Sequence, residues 1–141
     1  MKKILIVDDE EAIQIIYTEE LIEEGYEVVT TIDGSQLLEL VAQERPDLIV
    51  LDIRLGQYDG LDLLQDIRNT YYDLPVILCT AYSIFKYDLK SIAADYYVCK
   101  SSNLQELKLK IKMALEGRKQ FLPGRRLNDL KQMPSHWQSA H

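Results

Sequence analysis

Short apolar runs alternate along this chain with longer segments in which apolar residues recur at helical spacing. Four of the runs end abruptly on a polar residue: 4–7 is followed by Asp8, 48–51 by Asp52, 76–79 by Thr80, and 96–99 by Lys100. Apolar runs of this length are typical of strands that are buried on both faces of a parallel sheet. A fifth strand, rich in valine, is predicted over residues 26–30.

Five helices are predicted to follow these strands. Apolar residues recur at helical spacing over residues 10–24 and 61–69, and less regularly over residues 83–94. A second helix is expected to open at Asp33, and Pro46 lies just past its end. The fifth helix is expected to carry its N-cap and then its inward-facing residues in this order: Asn103, Leu104, Leu107, Ile111 and Leu115.

This alternation of strands and helices with short connections predicts an α/β fold. We expect a doubly wound, flavodoxin-like sandwich, in which a five-stranded parallel sheet of order 2-1-3-4-5 is flanked by five helices. Ligands of such sheets bind beyond the carboxyl ends of the strands, where the strand order reverses. Because the first and third strands flank that point, Asp8, Asp9 and Asp52 are expected to meet there.

The composition indicates one folded domain with a C-terminal extension of different charge. A chain of 141 residues suffices for one ordinary core. We predict a domain over residues 1–117 and a basic tail or linker over residues 118–141. Residues 1–116 carry 11 Lys and Arg against 22 Asp and Glu, a net charge of −11, whereas residues 117–141 carry five against one, a net charge of +4. The acidic body disfavours direct DNA binding by the domain.

Neither a membrane segment nor a targeting segment is predicted. The longest apolar stretch is far shorter than the roughly 18 residues that a membrane helix needs, and the acidic residues after the first strand argue against a signal peptide. Cys79 and Cys99 fall in predicted core strands, so we expect two buried thiols rather than a disulfide or a metal site. The chain is therefore predicted to be cytoplasmic.

Three carboxylates in one crevice need a cation, because they repel each other and raise one another's pKa. Oxygen ligands suit Mg²⁺, which typically takes one or two protein carboxylates and fills its other positions with water and phosphate oxygens. Asp52 can then act as a nucleophile that forms an aspartyl phosphate. Lys100 offers a positive charge to the phosphoryl oxygens, and Thr80 offers a hydroxyl donor. These residues provide for phosphoryl transfer without a His, Ser or Cys nucleophile.

From about residue 3 to residue 115, the chain resembles the receiver domain of bacterial two-component response regulators. The motifs that carry the resemblance are, in chain order, Ile4-Leu5-Ile6-Val7-Asp8-Asp9-Glu10, Asp52, Asp59-Gly60, Thr80-Ala81, Ala94-Asp95-Tyr96-Tyr97-Val98 and Lys100. The resemblance implies that Asp8 and Asp9 hold Mg²⁺, with Asp52 and the backbone carbonyl of Arg54 as further ligands.

The resemblance also implies a signalling role. Asp52 would accept phosphate from the phosphohistidine of a sensor histidine kinase or a histidine phosphotransfer protein, and Thr80 and Lys100 would contact the phosphoryl group. Tyr97 would rotate inward as Thr80 moves. This motion would change the face made by the fourth helix, the fifth strand and the fifth helix, which contacts a downstream protein or a second copy. Such a chain is a switch and not a turnover enzyme.

Two loops depart from the family pattern. Gly56 stands where proline is usual, which is expected to loosen the loop after Asp52. Ser101 stands where a cis proline usually follows the lysine. Because a cis bond before another residue costs about 2.5–4 kcal/mol, this loop is expected to be trans and to displace Lys100. Arg54 and Tyr82, two residues after the predicted acceptor and the predicted threonine, are expected to shield an acyl phosphate from water.

The individual residues also allow purely structural interpretations. Acidic residues after strands often cap helices, and for Asp8 or Asp9 alone capping is as good an account as metal binding. The alternative function is an unphosphorylated, receiver-like docking module. A Mg²⁺-dependent phosphohydrolase of the haloacid-dehalogenase type is disfavoured, because Arg54 stands where such enzymes usually carry a second aspartate.

Overall fold

The computed structural model describes residues 1–81, 94–100 and 104–117. Its elements are, in chain order, β1 (Lys3–Val7), α1 (Glu11–Glu23), β2 (Glu27–Thr31), α2 (Leu37–Glu44), β3 (Leu48–Leu51), β4 (Arg54–Leu55), β5 (Tyr58–Asp59), α3 (Gly60–Thr70), β6 (Val76–Thr80), β7 (Tyr96–Cys99) and α4 (Gln105–Gly117). The helix predicted over residues 83–94 lies, except for Ala94, outside the described residues, and so does the predicted cap Asn103.

Five of the strands form one parallel sheet in the order β2-β1-β3-β6-β7. Counted among themselves along the chain, these strands have the order 2-1-3-4-5, so the predicted doubly wound topology is confirmed. β1 and β3 are neighbours, and Val7 lies level with Leu51 in their register. Asp8 and Asp52 therefore leave the sheet at adjacent points.

Helices cover both faces of the sheet, which explains why its central strands are apolar at every position. On one face, Ile4 and Ile6 of β1 pack with residues of α1 and α4. On the other face, Leu5 and Val7 pack with residues of α2 and α3. All four side chains are at most 1% exposed, and burial of each aliphatic side chain contributes about 1.5–3 kcal/mol. This packing holds the ends of the strands in fixed positions.

The start of α2 differs from the prediction. The helix begins at Leu37 and not at Asp33, because the Asp33 carboxylate is engaged in a local turn. It accepts hydrogen bonds from the backbone N–H of Ser35 at 2.8 Å and from the Ser35 hydroxyl at 2.8 Å. Aspartate often forms such turns in preference to entering a helix. The helix ends at Glu44, and its C-cap Arg45, directly before Pro46, has a left-handed φ of 49°.

The segment after Asp52, predicted as a loop, contains a short antiparallel pair of strands. β4 pairs with β5, and Arg54 lies opposite Asp59. Gly56 makes the turn between them with a φ of 59°, a conformation that glycine adopts without strain. The predicted looseness of this segment is therefore limited by strand pairing.

Gly60 allows α3 to begin against the backbone that carries Asp52. A Cβ atom at this position would lie 2.7 Å from the Cα of Ile53 and closer still to the carbonyl oxygen of Asp52. The preceding Asp59 caps the helix, since its carboxylate accepts a hydrogen bond from the backbone N–H of Leu61 at 2.9 Å. The Asp59-Gly60 pair therefore fixes α3 close beside the Asp52 backbone.

The two cysteines differ in exposure, and the prediction that both are buried is wrong for one of them. Cys79 is buried in β6, whereas Cys99 is exposed. Cys99 is the last residue of β7, which is the edge strand of the sheet among the described residues.

A partly buried ion pair fixes the start of β7. The Arg68 guanidinium of α3 lies 2.7 Å from the Asp95 carboxylate, which also accepts a hydrogen bond from the backbone N–H of Val76 at 2.7 Å. Burial lowers the pKa of Arg68 to about 10, which leaves it charged at neutral pH. Because β7 leads directly to Lys100, this pair helps to position that lysine.

Candidate functional site

Asp8 is a buried carboxylate at the end of β1. Its side chain is 3% exposed, and its Oδ1 accepts a hydrogen bond from the backbone N–H of Glu10 at 2.9 Å. Glu10 occupies the N-cap position of α1, but its side chain makes no capping hydrogen bond to the helix. Asp8 therefore shapes the turn into α1 with one oxygen, while its Oδ2 contacts Lys100.

Asp52 follows β3 and is also buried, with 5% of its surface exposed. Its Oδ1 lies 3.5 Å from the backbone N–H of Arg54, and its Oδ2 lies 3.0 Å from Lys100 Nζ. Burial raises the pKa of Asp52 above its ordinary value; the hydrogen bond to Lys100 lowers it, and the nearby charge of Asp8 raises it further. The arrangement is a desolvated carboxylate with one strong cationic partner.

Lys100 brings three carboxylates together. Its Nζ lies 2.8 Å from Asp8 Oδ2, 3.0 Å from Glu10 Oε1 and 3.0 Å from Asp52 Oδ2. Burial alone would lower the pKa of the ammonium, but hydrogen bonds to these three carboxylates raise it above its ordinary value. Lys100 is therefore charged at neutral pH, and the displacement predicted from Ser101 is wrong.

Carboxylate oxygens of Asp8, Glu10 and Asp52 lie within 4.8 Å of one another, so this group could hold a metal ion. Three negative charges face one ammonium, which leaves the pocket with an excess of two negative charges. An excess of this size matches a divalent cation, and oxygen is the ligand type that Mg²⁺ prefers. The donor set therefore fits Mg²⁺.

Asp9 is placed differently from its two acidic neighbours. It is exposed, and its Oδ2 accepts a hydrogen bond from the backbone N–H of Gly56 at 3.0 Å. A proline at position 56 would have no N–H to donate. The structure thus brings Asp8, Asp52 and Lys100 together as predicted, and it ties Asp9 to the turn between β4 and β5.

The remaining predicted residues lie around this pocket. Thr80 ends β6 opposite Cys99 in the register, but its side chain lies outside the described residues. Tyr97 is half-buried and packs on the sheet face of α2 and α3. Tyr96 packs on the opposite face, with Lys110 Nζ 5.2 Å from the centre of its ring. The predicted alternation of the two tyrosines is seen in the structure.

Two comparisons of the whole chain agree with this geometry. The model of the response regulator receiver domain family matches residues 4–112. The chain belongs to this family. The chain is also 31% identical to the alkaline phosphatase synthesis transcriptional regulatory protein PhoP of Bacillus subtilis (strain 168), over 98% of this chain and 63% of PhoP. It thus spans less than two thirds of the length of that curated relative.

Solved structures show the same fold. The response regulator protein TrrA of Thermotoga maritima, crystallised in complex with Mg²⁺-BeF, is 46% identical with a TM-score of 0.79, over 82% of this chain and all of the TrrA chain. TrrA in complex with the histidine kinase ThkA matches with 45% identity and a TM-score of 0.77, over 82% of this chain and 99% of that chain. A CheY-like receiver domain protein from Methanospirillum hungatei JF-1 is 31% identical with a TM-score of 0.79, over 85% of this chain and 98% of that chain. As a receiver domain, the chain is a signalling module.

Sequence reasoning missed one contribution to the receiver pocket and one buried pair in the core. Glu10 was given no role, yet it contacts Lys100 and completes the acidic group. Its signal was its position directly after two aspartates. Tyr17 and Cys79 are buried in the core on the sheet face of α1 and α4, with the Tyr17 hydroxyl 3.5 Å from Cys79 Sγ. Burial raises the pKa of the Cys79 thiol to about 11, so it is protonated at neutral pH. No motif pointed to that pair.

Among the described residues, no helix has both the length and the apolar character that crossing a bilayer requires.

Proposed function

We propose that this receiver domain is a switch that takes a phosphoryl group onto Asp52. The observation that carries the proposal is the position of the buried Asp52 carboxylate, 3.0 Å from the Lys100 ammonium and grouped with Asp8 and Glu10. A carboxylate oxygen can form the new P–O bond, and the ammonium can neutralise charge that builds up on the phosphoryl oxygens. One edge of the sheet then supplies the acceptor and the positive charge, and the phosphoryl donor and the metal ion come from outside the chain.

Mg²⁺ is the cofactor that the pocket would hold, and we propose Asp8 and Asp52 as its buried ligands. Asp9 and the backbone carbonyl of Arg54, predicted as further ligands, remain proposals of the same kind. When bound, Mg²⁺ neutralises phosphoryl charge and orients the group for in-line transfer. The residues of the chain do the rest: Asp52 attacks, Lys100 binds the phosphoryl oxygens, and burial limits the access of water to Asp52.

The proposed donor is a phosphohistidine on a sensor histidine kinase or a histidine phosphotransfer protein. The structure of TrrA with the kinase ThkA supports a kinase as partner. In the transfer, the P–O bond to Asp52 forms while the P–N bond to the imidazole breaks, and the imidazole nitrogen retains the electron pair. We place this exchange in the cytoplasm, and we propose that the domain catalyses its own phosphorylation without turning over a metabolite.

The output is proposed to pass through the face made by residues 83–94, β7 and α4. Tyr97 lies in β7, three residues before Lys100, and Thr80 is level with the end of that strand. We propose these two residues as the switch, although the Thr80 side chain and residues 83–93 lie outside the described part. A downstream protein or a second copy would bind this face, and the acidic domain would not bind DNA itself. We further propose that residues 118–141 form a basic tail or linker that follows the domain.

The decisive experiment is phosphorylation with acetyl phosphate. We expect intact-mass spectrometry to show one phosphoryl group per chain in the presence of Mg²⁺ and none in the presence of a chelator. Reduction of the acyl phosphate with borohydride would convert the modified aspartate to homoserine and locate it at residue 52. No adduct under any condition would favour the unphosphorylated docking module, and an adduct at another residue would refute the assignment of Asp52.

Arg54 is expected to lengthen the lifetime of the phosphorylated form. Its exposed side chain follows Asp52 by two residues, where it can shield the acyl phosphate from water. We expect Arg54→Ala to hydrolyse the acyl phosphate several-fold faster, as measured by loss of the adduct over time. Lys2→Ala removes another exposed cation, at the opposite end of the sheet, and serves as control. Equal lifetimes in wild type and Arg54→Ala would discard this role. Tyr82, the other predicted shield, lies outside the described residues.

A further inference from the structure

Helix α1 is apolar on two opposite sides. Tyr17 and Leu21 are buried on the side that faces the sheet. On the other side, Ile15, Ile16 and Ile22 are 60%, 50% and 56% exposed. A surface helix of a globular domain normally carries its apolar residues on one face, and an exposed group of large apolar residues marks a contact with something else.

The exposed residues form one continuous stripe, because positions three, four and seven apart lie on the same face of a helix. The stripe contains the following exposed residues: Ala12, Ile15, Ile16, Glu19, Ile22 and Glu23. Its carboxylates lie between and beside the isoleucines. A segment that covers this stripe therefore needs both apolar side chains and positive charges.

Residues 118–141 have this composition. Against a single acid they carry five cations and six large apolar residues: Arg118, Lys119, Phe121, Leu122, Arg125, Arg126, Leu127, Leu130, Lys131, Met133 and Trp137. Residues 1–116 are strongly acidic, so the domain as a whole, and not only the carboxylates of the stripe, attracts the basic segment. We infer that residues 118–141 dock on the outer stripe of α1, with their apolar side chains on its isoleucines and their cations beside Glu19 and Glu23.

Helix α4, from which the segment continues, lies beside α1. Lys108 of α4 lies 2.8 Å from Glu20 and 3.4 Å from Glu24, so α4 packs beside the last turn of α1. Tyr26, just after α1, and Leu115, in the last turn of α4, pack against the same core cluster. α4 ends at Gly117, so the segment continues from a helix that is tied by ion pairs to the end of α1.

The length of the segment exceeds what the contact needs. The 13 residues of α1 span about 20 Å at the rise of a helix. A fully extended chain of the 24 residues from 118 to 141 would reach about 80 Å. The segment can therefore cover the stripe over its whole length. The inference concerns the outer side of α1 and does not rest on the proposed phosphorylation at the edge of the sheet.

Trp137 allows a direct test in the full chain, because it is the single tryptophan. We expect its emission to be blue-shifted, and its quenching by acrylamide several-fold weaker, than in a synthetic peptide of residues 118–141. Ile22→Asn on the stripe, and separately the pair Arg125→Glu with Arg126→Glu, are expected to restore peptide-like quenching. Leu109→Asn on α4 is the matched control, since Leu109 is 56% exposed like Ile22. Circular dichroism checks that each variant is folded.

Several outcomes would overturn the docking of residues 118–141. If acrylamide quenches Trp137 in the wild type as strongly as in the peptide, the segment is not docked. The docking is also refuted if Trp137 is protected but neither the Ile22 variant nor the double arginine variant removes the protection. Equal loss of protection in Leu109→Asn would place the contact elsewhere. Protection that disappears on dilution, together with a dimer mass in sedimentation, would assign the stripe to a second copy. Protection that persists on dilution and is lost in 1 M salt supports docking within one chain, since at about this ionic strength charges are screened within roughly 3 Å.

Discussion

Asp52→Asn is expected to abolish phosphorylation while the domain stays folded. The amide has nearly the shape of the carboxylate but lacks the anionic oxygen that forms the P–O bond. We expect no mass adduct with acetyl phosphate and Mg²⁺, under conditions in which the wild type is fully modified. Asp59→Asn removes a helix-capping carboxylate near the pocket and should retain the adduct. A phosphorylated Asp52→Asn protein would show that another residue is the acceptor.

The same substitution is expected to raise stability at neutral pH in metal-free buffer. Burial raises the pKa of Asp52 in the folded state. The folded state therefore binds the proton more tightly than the unfolded state, and ionisation of Asp52 costs stability as the pH rises through that window. Urea unfolding should show Asp52→Asn to be more stable at pH 7, with the difference disappearing at a pH below the ordinary aspartate pKa. A variant that is less stable at pH 7 would contradict this sign.

Lys100→Met is expected to lower the free energy of unfolding by about 3–5 kcal/mol at pH 7 without metal, the usual cost of removing one partner from a buried ion pair. Its ammonium neutralises Asp8 and Asp52, both of which are at most 5% exposed. The raised pKa of Lys100 means that this contribution is fully present below the ordinary lysine pKa and is lost only as the pH rises through the folded value. At acid pH, the difference in free energy of unfolding between wild type and Lys100→Met should also become smaller, because protonated carboxylates carry no charge for the ammonium to neutralise.

A lysine whose carboxylate partners are exposed provides the control for this effect. Lys108 contacts Glu20 and Glu24, whose side chains are 41% and 47% exposed, so Lys108→Met is expected to cost far less stability than Lys100→Met. Millimolar Mg²⁺ should stabilise Lys100→Met more than the wild type, because a divalent cation replaces the lost charge. If Lys100→Met and Lys108→Met lose the same stability, the pocket does not depend on its ammonium.

Particular elements show how far the sequence carries. The apolar runs predicted the five sheet strands, and no predicted end differs from the observed end by more than one residue. The alternation with helices predicted the order of the strands. α2 was predicted to begin at Asp33 because aspartate is a common N-cap, but at this position it forms a turn with Ser35. The hairpin of β4 and β5 has only two residues in each strand, too few to show a pattern.

The sequence by itself determined that buried strands end on Asp8, Asp52 and Lys100, and the rules of parallel sheets then brought these residues to one edge. Only the tertiary structure decided which neighbouring carboxylate joins them. Glu10 reaches Lys100 across 90 positions of the chain, and Asp9 accepts a hydrogen bond from Gly56 across 47 positions. The period of a strand specifies side-chain direction up to its last residue. Beyond that residue, direction depends on donors that other loops bring close in space, and linear spacing contains no record of them.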